Sequence, residues 1–140
     1  MPASEFRSAA IKAQALRDLA IRCDAFQMEQ ALQAAGCNAV HSVEQRLSRC
    51  LLECSDRTGY ALILTHETLA KILGVRRTTV TLVAQNLLSS GTIKYRRGNI
   101  EIVDRAALET SACRCYRVLR QRAESLLAHG PTSPAQAYGN

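Results

Sequence analysis

Tryptophan is absent from this 140-residue chain, and aromatic residues make up only 4% of it. Leucine, alanine, valine and isoleucine must therefore fill the interior, which favours a helix-rich fold. Apolar residues account for 47% of the chain, enough for the core of one domain with an extension. No apolar run is long enough to cross a bilayer, and the N-terminus lacks the basic-then-apolar order of a signal peptide. We expect a cytoplasmic protein without a membrane partner.

Acidic residues are missing from one long stretch. Between Thr68 and Ile100 there are six basic residues and no aspartate or glutamate. The whole chain has 18 basic and 12 acidic residues, so its net charge of +6 lies entirely in this stretch. A basic stripe confined to one segment is typical of a protein that binds a polyanion such as nucleic acid. The alternative is a chance cluster on a solvated face.

The residue sets of common catalytic sites are missing as well. The sequence contains no paired carboxylates, no nucleophile beside a base and no glycine-rich phosphate loop. We therefore expect no enzymatic activity and no catalytic residue.

The six cysteines do not follow the spacing of a zinc site or of a small secreted disulfide framework. They are Cys23, Cys37, Cys50, Cys54, Cys113 and Cys115. Zinc sites use CxxC-type pairs with a second pair or a histidine nearby, and His41, His66 and His129 are not so placed. Cys113 and Cys115 are expected on different faces of one helix. We predict no metal and no cofactor, with thiols acting as small apolar side chains, and keep metal binding or redox sensing as the minor alternative.

Residues 66–83 carry the pattern of a helix-turn-helix. The first apolar stripe consists of Leu69, Ile72 and Leu73. It ends at Gly74, a residue that can take a positive φ angle in a turn. A second stripe follows at helical spacing and consists of Val80, Val83, Ala84, Leu87 and Leu88. Small Ala70 lies where the two helices must cross closely, and the second helix, at about residues 76–89, is the candidate to enter the DNA major groove.

The segments before this motif are predicted to be helical. Residues 4–38 read as helix, in one or two pieces, with a break or hinge at 36–38. Ser42 and Gln45 fit a capping box at the start of a further helix, which ends near residues 56–59.

A short strand, a cap and a hairpin complete the pattern. Residues 61–64 predict a strand, and Thr65 can cap the first helix of the helix-turn-helix. Apolar residues alternate on both sides of the turn signal Gly98–Asn99, which predicts a β-hairpin with a basic tip, a wing. Asp104 is placed to cap a last helix, and residues 131–140 are predicted to be a disordered tail.

Four apolar residues on the long N-terminal helix fall on a seam like that of a coiled coil: Leu16, Leu19, Cys23 and Phe26. They are candidates for the contact between two copies of the chain. Gln30 and Gln33 interrupt the seam, so the helix could instead pack on its own domain. The pattern leaves both interpretations open.

This order of elements resembles the C-terminal half of the Crp/Fnr family of bacterial transcription regulators. The residues that carry the resemblance are Leu64–Val80, Leu87–Ile93 and the wing Lys94–Val103. The resemblance covers roughly residues 10–120 and implies a mainly α-helical fold with a small β-hairpin wing, a winged helix-turn-helix preceded by a long dimerisation helix.

The resemblance also implies a division into domains. It places the end of a sensor region and the long dimerisation helix at residues 1–41, and the DNA-binding domain with its C-terminal helix at 42–130. Family members carry an N-terminal β-roll that senses an effector, and Met1–Ala10 resembles its last helix, so we expect a fragment or a truncated member. The slot of the Thr-Ser pair in cyclic-AMP-responsive members holds Ala31 and Leu32, which argues against cyclic AMP. No small-molecule ligand is expected in this chain.

Five residues of the predicted recognition helix face outward as candidates for reading bases: Arg77, Thr78, Thr81, Leu82 and Gln85. Arg77 matches the family's base-reading arginine and can bind a guanine edge with two hydrogen bonds, while Gln85 could reach an adenine. Thr78 and Leu82 replace a glutamate and an arginine of the family, so the target site should differ. Leu82 could contact a thymine methyl group, pack under the wing or be simply an exposed leucine.

Four basic residues are candidate phosphate ligands: Arg76, Lys94, Arg96 and Arg97. Wing and turn positions run along the DNA backbone. Arg76 occupies a helix N-cap position that serine or aspartate would fill better, which makes sense if it binds a phosphate.

These features together predict a sequence-specific regulator that binds double-stranded DNA. The resemblance implies a homodimer joined along the long helix, with two winged helices on a palindromic site and RNA polymerase as a further candidate partner. The alternative is a winged helix used for protein–protein contact, against which the acid-free basic stretch argues.

Overall fold

The structure is a computed structural model that describes residues 2–128. These residues form seven helices and three strands in two compact units. One unit contains the residues up to Leu32 and those from Leu119 onward, and the other contains Gln33–Val118. None of the helices in this part of the chain combines the length and apolar character needed to cross a bilayer. The predicted tail at 131–140 lies outside the described residues, and the predicted domain boundaries stay predictions.

Two helices cover the N-terminal segment. Helix α1 (Ala3–Lys12) and helix α2 (Gln14–Val40) are separated by Ala13, whose backbone is extended. The predicted N-terminal helix is confirmed, in two pieces. The predicted hinge at 36–38 is wrong, because α2 continues through it. A helical glycine costs only about 1 kcal/mol relative to alanine, and Cys37 beside it is fully buried.

Helix α3 (Val43–Thr58) begins with the predicted capping box. The backbone N–H of Gln45 donates to the Ser42 hydroxyl at 3.2 Å, and the backbone N–H of Ser42 donates to Oε1 of Gln45 at 3.1 Å. Two N–H groups that the helix itself cannot satisfy are thus bonded. The inner face of α3 buries Leu47 and Leu51 completely, as predicted.

The helix-turn-helix consists of α4 (His66–Leu73) and α5 (Arg77–Ser89). Thr65 caps α4 as predicted, because its hydroxyl accepts a hydrogen bond from the backbone N–H of Thr68 at 3.1 Å. The predicted place of Ile72 in the buried stripe is wrong, since it is 56% exposed. The other two residues of that stripe, Leu69 and Leu73, are buried and pack this short helix against the core.

Three short strands form one antiparallel sheet in the order β1-β3-β2. They are β1 (Ala61–Ile63), β2 (Ile93–Arg96) and β3 (Asn99–Ile102). The predicted wing is therefore part of a larger sheet, in which Leu62 pairs with Ile100. The sequence predicted the strand and the hairpin separately, because a pairing between distant segments leaves no local pattern.

The hairpin turn has Arg97 and Gly98 as its central residues, since Arg96 pairs with Asn99. Their φ angles are 44° and 83°, and positive φ at both positions is the pattern of a type I′ turn. The predicted turn pair Gly98–Asn99 was thus placed one residue too late. Arg97 is the only non-glycine residue with positive φ in the described part of the chain.

The last predicted helix is in fact two helices. Helix α6 (Arg105–Ser111) begins at Asp104, whose carboxylate accepts a hydrogen bond from the backbone N–H of Ala107 at 2.9 Å, as predicted. The chain then turns extended at Ala112 and resumes as α7 (Cys115–Ala128). The prediction of one helix is wrong because the apolar spacing continues across the break and hides it.

One apolar core unites the helices and the sheet of the Gln33–Val118 unit. Its fully buried side chains are Leu47, Leu51, Leu52, Leu69, Val80, Leu87, Ile93, Ile100 and Leu108. At its edge Arg105 donates to the carboxylate of Asp56 at 2.6 Å, and the Tyr116 hydroxyl donates to the same carboxylate at 2.8 Å. The mainly α-helical winged fold predicted from the sequence is confirmed.

Replacing Arg97 with asparagine should stabilise the hairpin. A left-handed backbone costs an ordinary L-residue about 1–2 kcal/mol, and asparagine tolerates it better than arginine. Arg97→Asn should therefore raise the free energy of unfolding by about 1 kcal/mol in chemical denaturation. The control is Arg96→Asn, which removes the same charge at a strand position. Equal gains in both variants would show that charge, and not the φ angle, limits stability.

Candidate nucleic-acid interface

The turn between α4 and α5 fixes the direction of the second helix. Gly74 has φ 64° and ψ 37°, in the left-handed region. The N–H of Val75 donates to the carbonyl of Ala70 at 3.1 Å, and the N–H of Gly74 donates to that of Lys71 at 3.4 Å. These two bonds make a Schellman motif. A Cβ at position 74 would meet no atom within 4 Å, so the backbone angle is the reason for glycine.

The predicted base-reading residues share one face of α5. The opposite face is buried through Val80, Ala84 and Leu87, so the helical repeat turns the candidates away from the core. Four of the candidates are exposed and Thr81 is half-buried; the exposed ones are Arg77, Thr78, Leu82 and Gln85.

Leu82 is an exposed apolar residue on this otherwise polar face. Its side chain is 64% exposed, which excludes the alternative that it packs under the wing. An exposed leucine in this place can contact a thymine methyl group.

Thr81 is held by two hydrogen bonds. Its hydroxyl donates to the carbonyl oxygen of Arg77 at 3.0 Å and lies 3.0 Å from Nδ1 of His66. Because the hydroxyl proton is already used, Nδ1 of His66 is the donor in the second bond. The hydroxyl of Thr81 therefore has no proton left to donate, whereas its methyl group can still make apolar contacts.

His66 connects the two helices of the motif with the wing. Its ring packs on that of Tyr95, with centroids 4.7 Å apart and planes tilted by 34°. Burial and the positive charge of Arg77 lower the pKa of His66 from its ordinary value of 6.5, so the ring is neutral at pH 7. No local pattern in the sequence indicates this role, because the bond joins residues 15 positions apart in different helices.

The three cations of the wing differ in the residues that lie opposite them in the sheet. Lys94, Arg96 and Arg97 are all exposed. Lys94 lies directly opposite Glu101 in the sheet register, whereas Arg96 lies opposite Asn99. A neighbouring carboxylate competes for a cation, so the charges of the two arginines are less compensated than that of the lysine.

Arg76 is the N-cap of α5, as predicted, and its side chain makes no capping hydrogen bond. A serine or aspartate cap would contribute about 1 kcal/mol. Within residues 2–128, no carboxylate lies within ion-pair distance of the four arginines of this surface. These arginines are Arg76, Arg77, Arg96 and Arg97.

The four predicted dimerisation residues lie on the more buried side of α2. Leu16, Cys23 and Phe26 are half-buried, and Leu19 is 42% exposed. Phe26 lines a groove with Arg122 and Leu126 of α7 in the same unit. The packing of this helix on its own chain, which the sequence left open, therefore involves this seam.

A different stripe of α2 is left uncovered. It follows the spacing i, i+4, i+7, i+11 and consists of Ile21, Ala25, Met28 and Leu32. Its three large side chains are between 61% and 67% exposed. Apolar residues repeated in this way along a long helix form a surface suited to a second helix.

Four residues that the sequence analysis kept apart come together in the Gln33–Val118 unit. The sulfur atoms of Cys37, Cys113 and Cys115 and a ring nitrogen of His41 all lie within 4.8 Å of one another. The expectations that His41 is poorly placed and that Cys113 and Cys115 point to different faces of one helix are wrong. Cys113 precedes α7, in the helix break, so helical periodicity does not separate the two thiols. The signal in the sequence was the i, i+4 pair of Cys37 and His41.

Cys50 and Cys54 behave as predicted for small apolar side chains. Cys50 is part of the main core and Cys54 packs against it. The third histidine, His129, lies outside the described residues.

Comparison with known proteins identifies the domain. Residues 45–111 match the profile of the Crp-like helix-turn-helix domain. No match was found among curated proteins. Among solved structures, a CRP-family transcriptional regulator from Thermus thermophilus is 26% identical with a TM-score of 0.57, over 63% of this chain and 49% of its own.

Two further structures share this architecture. A Crp/Fnr-family regulator from Eubacterium rectale is 26% identical with a TM-score of 0.60, over 83% of this chain and 52% of its own. FixK2 from Bradyrhizobium japonicum has a TM-score of 0.70 at 17% identity, over 79% of this chain and 58% of its own, and supports the fold alone. The chain spans about half the length of the two regulators at 26% identity. Residues 45–111 are therefore a Crp-like helix-turn-helix domain, and the chain is similar in structure to regulators of the Crp/Fnr family.

Proposed function

We propose that this chain is a DNA-binding transcription regulator that reads a specific duplex sequence with α5 and binds the flanking phosphates through the wing. The observation that carries the proposal is the coincidence, on one domain, of an outward polar face on α5 with three arginines that have no carboxylate at ion-pair distance among residues 2–128: Arg76, Arg96 and Arg97. The major groove of B-DNA admits an α-helix. Gel-shift titrations of the whole chain with random duplex at several salt concentrations test it, and binding that does not weaken with salt would contradict it.

The residues of the α5 face have chemically distinct roles. Arg77 lies in the first turn of α5, where recognition helices contact base edges, and can donate two hydrogen bonds to a guanine. Gln85 can pair with an adenine edge through its carboxamide. Thr81, whose hydroxyl is already bonded, and the exposed Leu82 offer apolar contact to thymine methyl groups.

The regulator acts as a homodimer on a palindromic site. One winged helix contacts few base pairs, whereas two of them can read half-sites one helical turn apart on the same side of the duplex. The exposed stripe of Ile21, Ala25, Met28 and Leu32 supports pairing through α2, as members of the family pair through this helix. The predicted seam from Leu16 to Phe26 is the competing surface.

Arg77 should discriminate between sequences, whereas Arg96 should not. On a duplex selected from a random pool, Arg77→Ala should weaken binding by about 1–3 kcal/mol and relax the preference at one base pair. On random duplex its effect should be small. Fluorescence anisotropy titrations with both duplexes measure the two losses.

The matched control is Arg96→Ala. It removes an exposed arginine at the wing, so it should weaken binding to both duplexes alike and lower the salt slope by about one unit. If Arg77→Ala also weakened both duplexes equally, Arg77 would be a phosphate contact.

His66 should make stability depend on pH. The unfolded chain takes up a proton near pH 6.5, but the folded chain does so only at a lower pH because its pKa is lowered. This contribution to stability is complete above pH 6.5 and is lost as the pH falls below it. Urea unfolding at pH 7.5 and 5.5 should therefore show a larger loss for the wild type than for His66→Gln. An identical pH dependence in both proteins would mean that His66 is not held neutral.

Charges in the exposed stripe of α2 should prevent dimerisation. Ile21→Asp with Met28→Asp should give monomers that keep their helical content and lose most affinity for the selected site. Gln27→Asp, an exposed polar position outside the stripe, is the control and should leave the dimer intact. Sedimentation velocity over a range of concentrations and circular dichroism measure these effects.

The competing surface is tested with Leu19→Asp and Phe26→Asp. If the seam packs on its own chain, this pair should lower helical content, whereas clean folded monomers would assign the dimer to the seam. A wild type that stays monomeric at high concentration and binds a single half-site with full affinity would contradict the homodimer.

A further inference from the structure

The four residues of the cysteine–histidine cluster come from two places in the fold. Cys37 belongs to the last turn of α2 and His41 follows that helix, one helical turn later. Cys113 lies in the break between α6 and α7, and Cys115 is the first residue of α7. We propose that these four side chains form a tetrahedral site for a thiophilic divalent cation, Zn²⁺, with three sulfur ligands and one nitrogen ligand.

The distances fit this ion. Zinc binds sulfur at about 2.3 Å and imidazole nitrogen at about 2.0–2.1 Å, so the edges of a tetrahedral site are about 3.5–3.8 Å long. The Cys37 and Cys113 sulfurs are 4.0 Å apart, and the Cys115 sulfur is 3.9 Å from Nδ1 of His41. All four atoms lie within 4.8 Å of one another. Because the edges of a zinc site are about 3.5–3.8 Å long, the longest of these separations would have to close by about 1 Å for all four atoms to bind one metal ion.

The cluster is built differently from the other buried thiols. Cys50 lies among the leucines of the main core, but Cys37, Cys113 and Cys115 form a separate buried cluster that includes no other buried apolar side chain of the described residues. They are between 0% and 5% exposed. Thiols acting only as small apolar side chains have no reason to gather around an imidazole nitrogen.

Two neighbours suit sulfur atoms that carry negative charge. Nε2 of Gln33 donates to the Cys115 sulfur at 2.9 Å. The guanidinium of Arg49, on a side chain only 11% exposed, interacts electrostatically with Cys37 and Cys113. Binding of Zn²⁺ would release three thiol protons to solvent and leave a net charge of −1 near the guanidinium of Arg49, which also forms an ion pair with Glu53 at 2.9 Å. Hydrogen bonds from outside the ligand set orient metal ligands and tune their affinity.

With four protein ligands the site has no open coordination position, which is the mark of a structural zinc site. The ion would join positions 76 residues apart, the last turn of α2 and the α6–α7 junction, both within the Gln33–Val118 unit. Its binding would therefore stabilise the folded state of the unit that carries α5 and the wing. The inference does not depend on DNA binding.

Metal content and Co²⁺ substitution test the proposal on the whole chain. Purified under reducing conditions with zinc present, the wild type should retain one equivalent of zinc after gel filtration. Co²⁺ should give the intense visible bands of a tetrahedral site and thiolate charge-transfer absorption. Cys113→Ser should lose these bands and the retained zinc, whereas the control Cys54→Ser, a half-buried thiol of the same unit, should keep both.

If Cys113→Ser fails to fold, a second and milder variant can still test the zinc site. Gln33→Ala removes only the hydrogen bond to Cys115 and should weaken zinc binding about 10- to 100-fold in competition with a chelator. A chelator should also lower the melting temperature of the wild type and of Cys54→Ser, but not that of Cys113→Ser.

Three results would overturn the proposal. The first is only trace zinc in the wild type with Co²⁺ spectra unchanged by Cys113→Ser. The second is a Cys37–Cys113 disulfide that persists in protein purified under reducing conditions with zinc. The third is iron with inorganic sulfide in place of zinc.

Discussion

The left-handed turn at Gly74 is the constraint on which the reading surface depends. It ends α4 through two backbone hydrogen bonds and lets the chain start α5 two residues later. A side chain at this position would be strained by its backbone angle even though space is open around it. With α4 and α5 packed on the core through Leu69 and Val80, the face that carries Arg77 can point only outward. His66 then fastens the two helices to each other through Thr81.

Two arginines occupy positions at which the fold alone would favour other residues. Arg76 takes an N-cap without making a capping bond, and Arg97 takes a left-handed turn position. Each choice forgoes about 1 kcal/mol of stability. Among residues 2–128, both are exposed cations without a carboxylate at ion-pair distance, and exceptions to local rules of this kind are expected at functional sites. An asparagine, the residue found at position 99, would suit the left-handed backbone at position 97 better than an arginine.

The sequence predicted what local patterns encode. Caps at Ser42, Thr65 and Asp104 and the turn at Gly74 each depend on a few neighbouring residues, and all are confirmed. The pairing of β1 with β3 and the meeting of Cys37 with Cys113 join segments far apart in the chain, so periodicity could not reveal them.

Two helix boundaries were predicted wrongly, because local patterns there do not reveal which side chains are buried. A glycine–cysteine–asparagine run at 36–38 resembled a hinge, but Cys37 is buried and the helix continues. An unbroken apolar spacing hid the turn at Ala112. The base-reading and phosphate roles assigned from the sequence stay predictions, because they concern contacts with a partner.

The end of α2 and the helix-turn-helix share one buried side chain. Arg46, 7% exposed, donates to the carboxamide of Asn38 and to the carbonyl of Leu73 at 3.1 Å. Leu73 is the last residue of α4, so this guanidinium connects the last turn of α2 to the turn that directs α5. Losing one acceptor would leave a buried charge poorly bonded, at a cost of about 1.5–3 kcal/mol. Because Cys37 lies on the same turn of α2 as Asn38, the guanidinium of Arg46 connects the turn that carries this thiol to the end of α4.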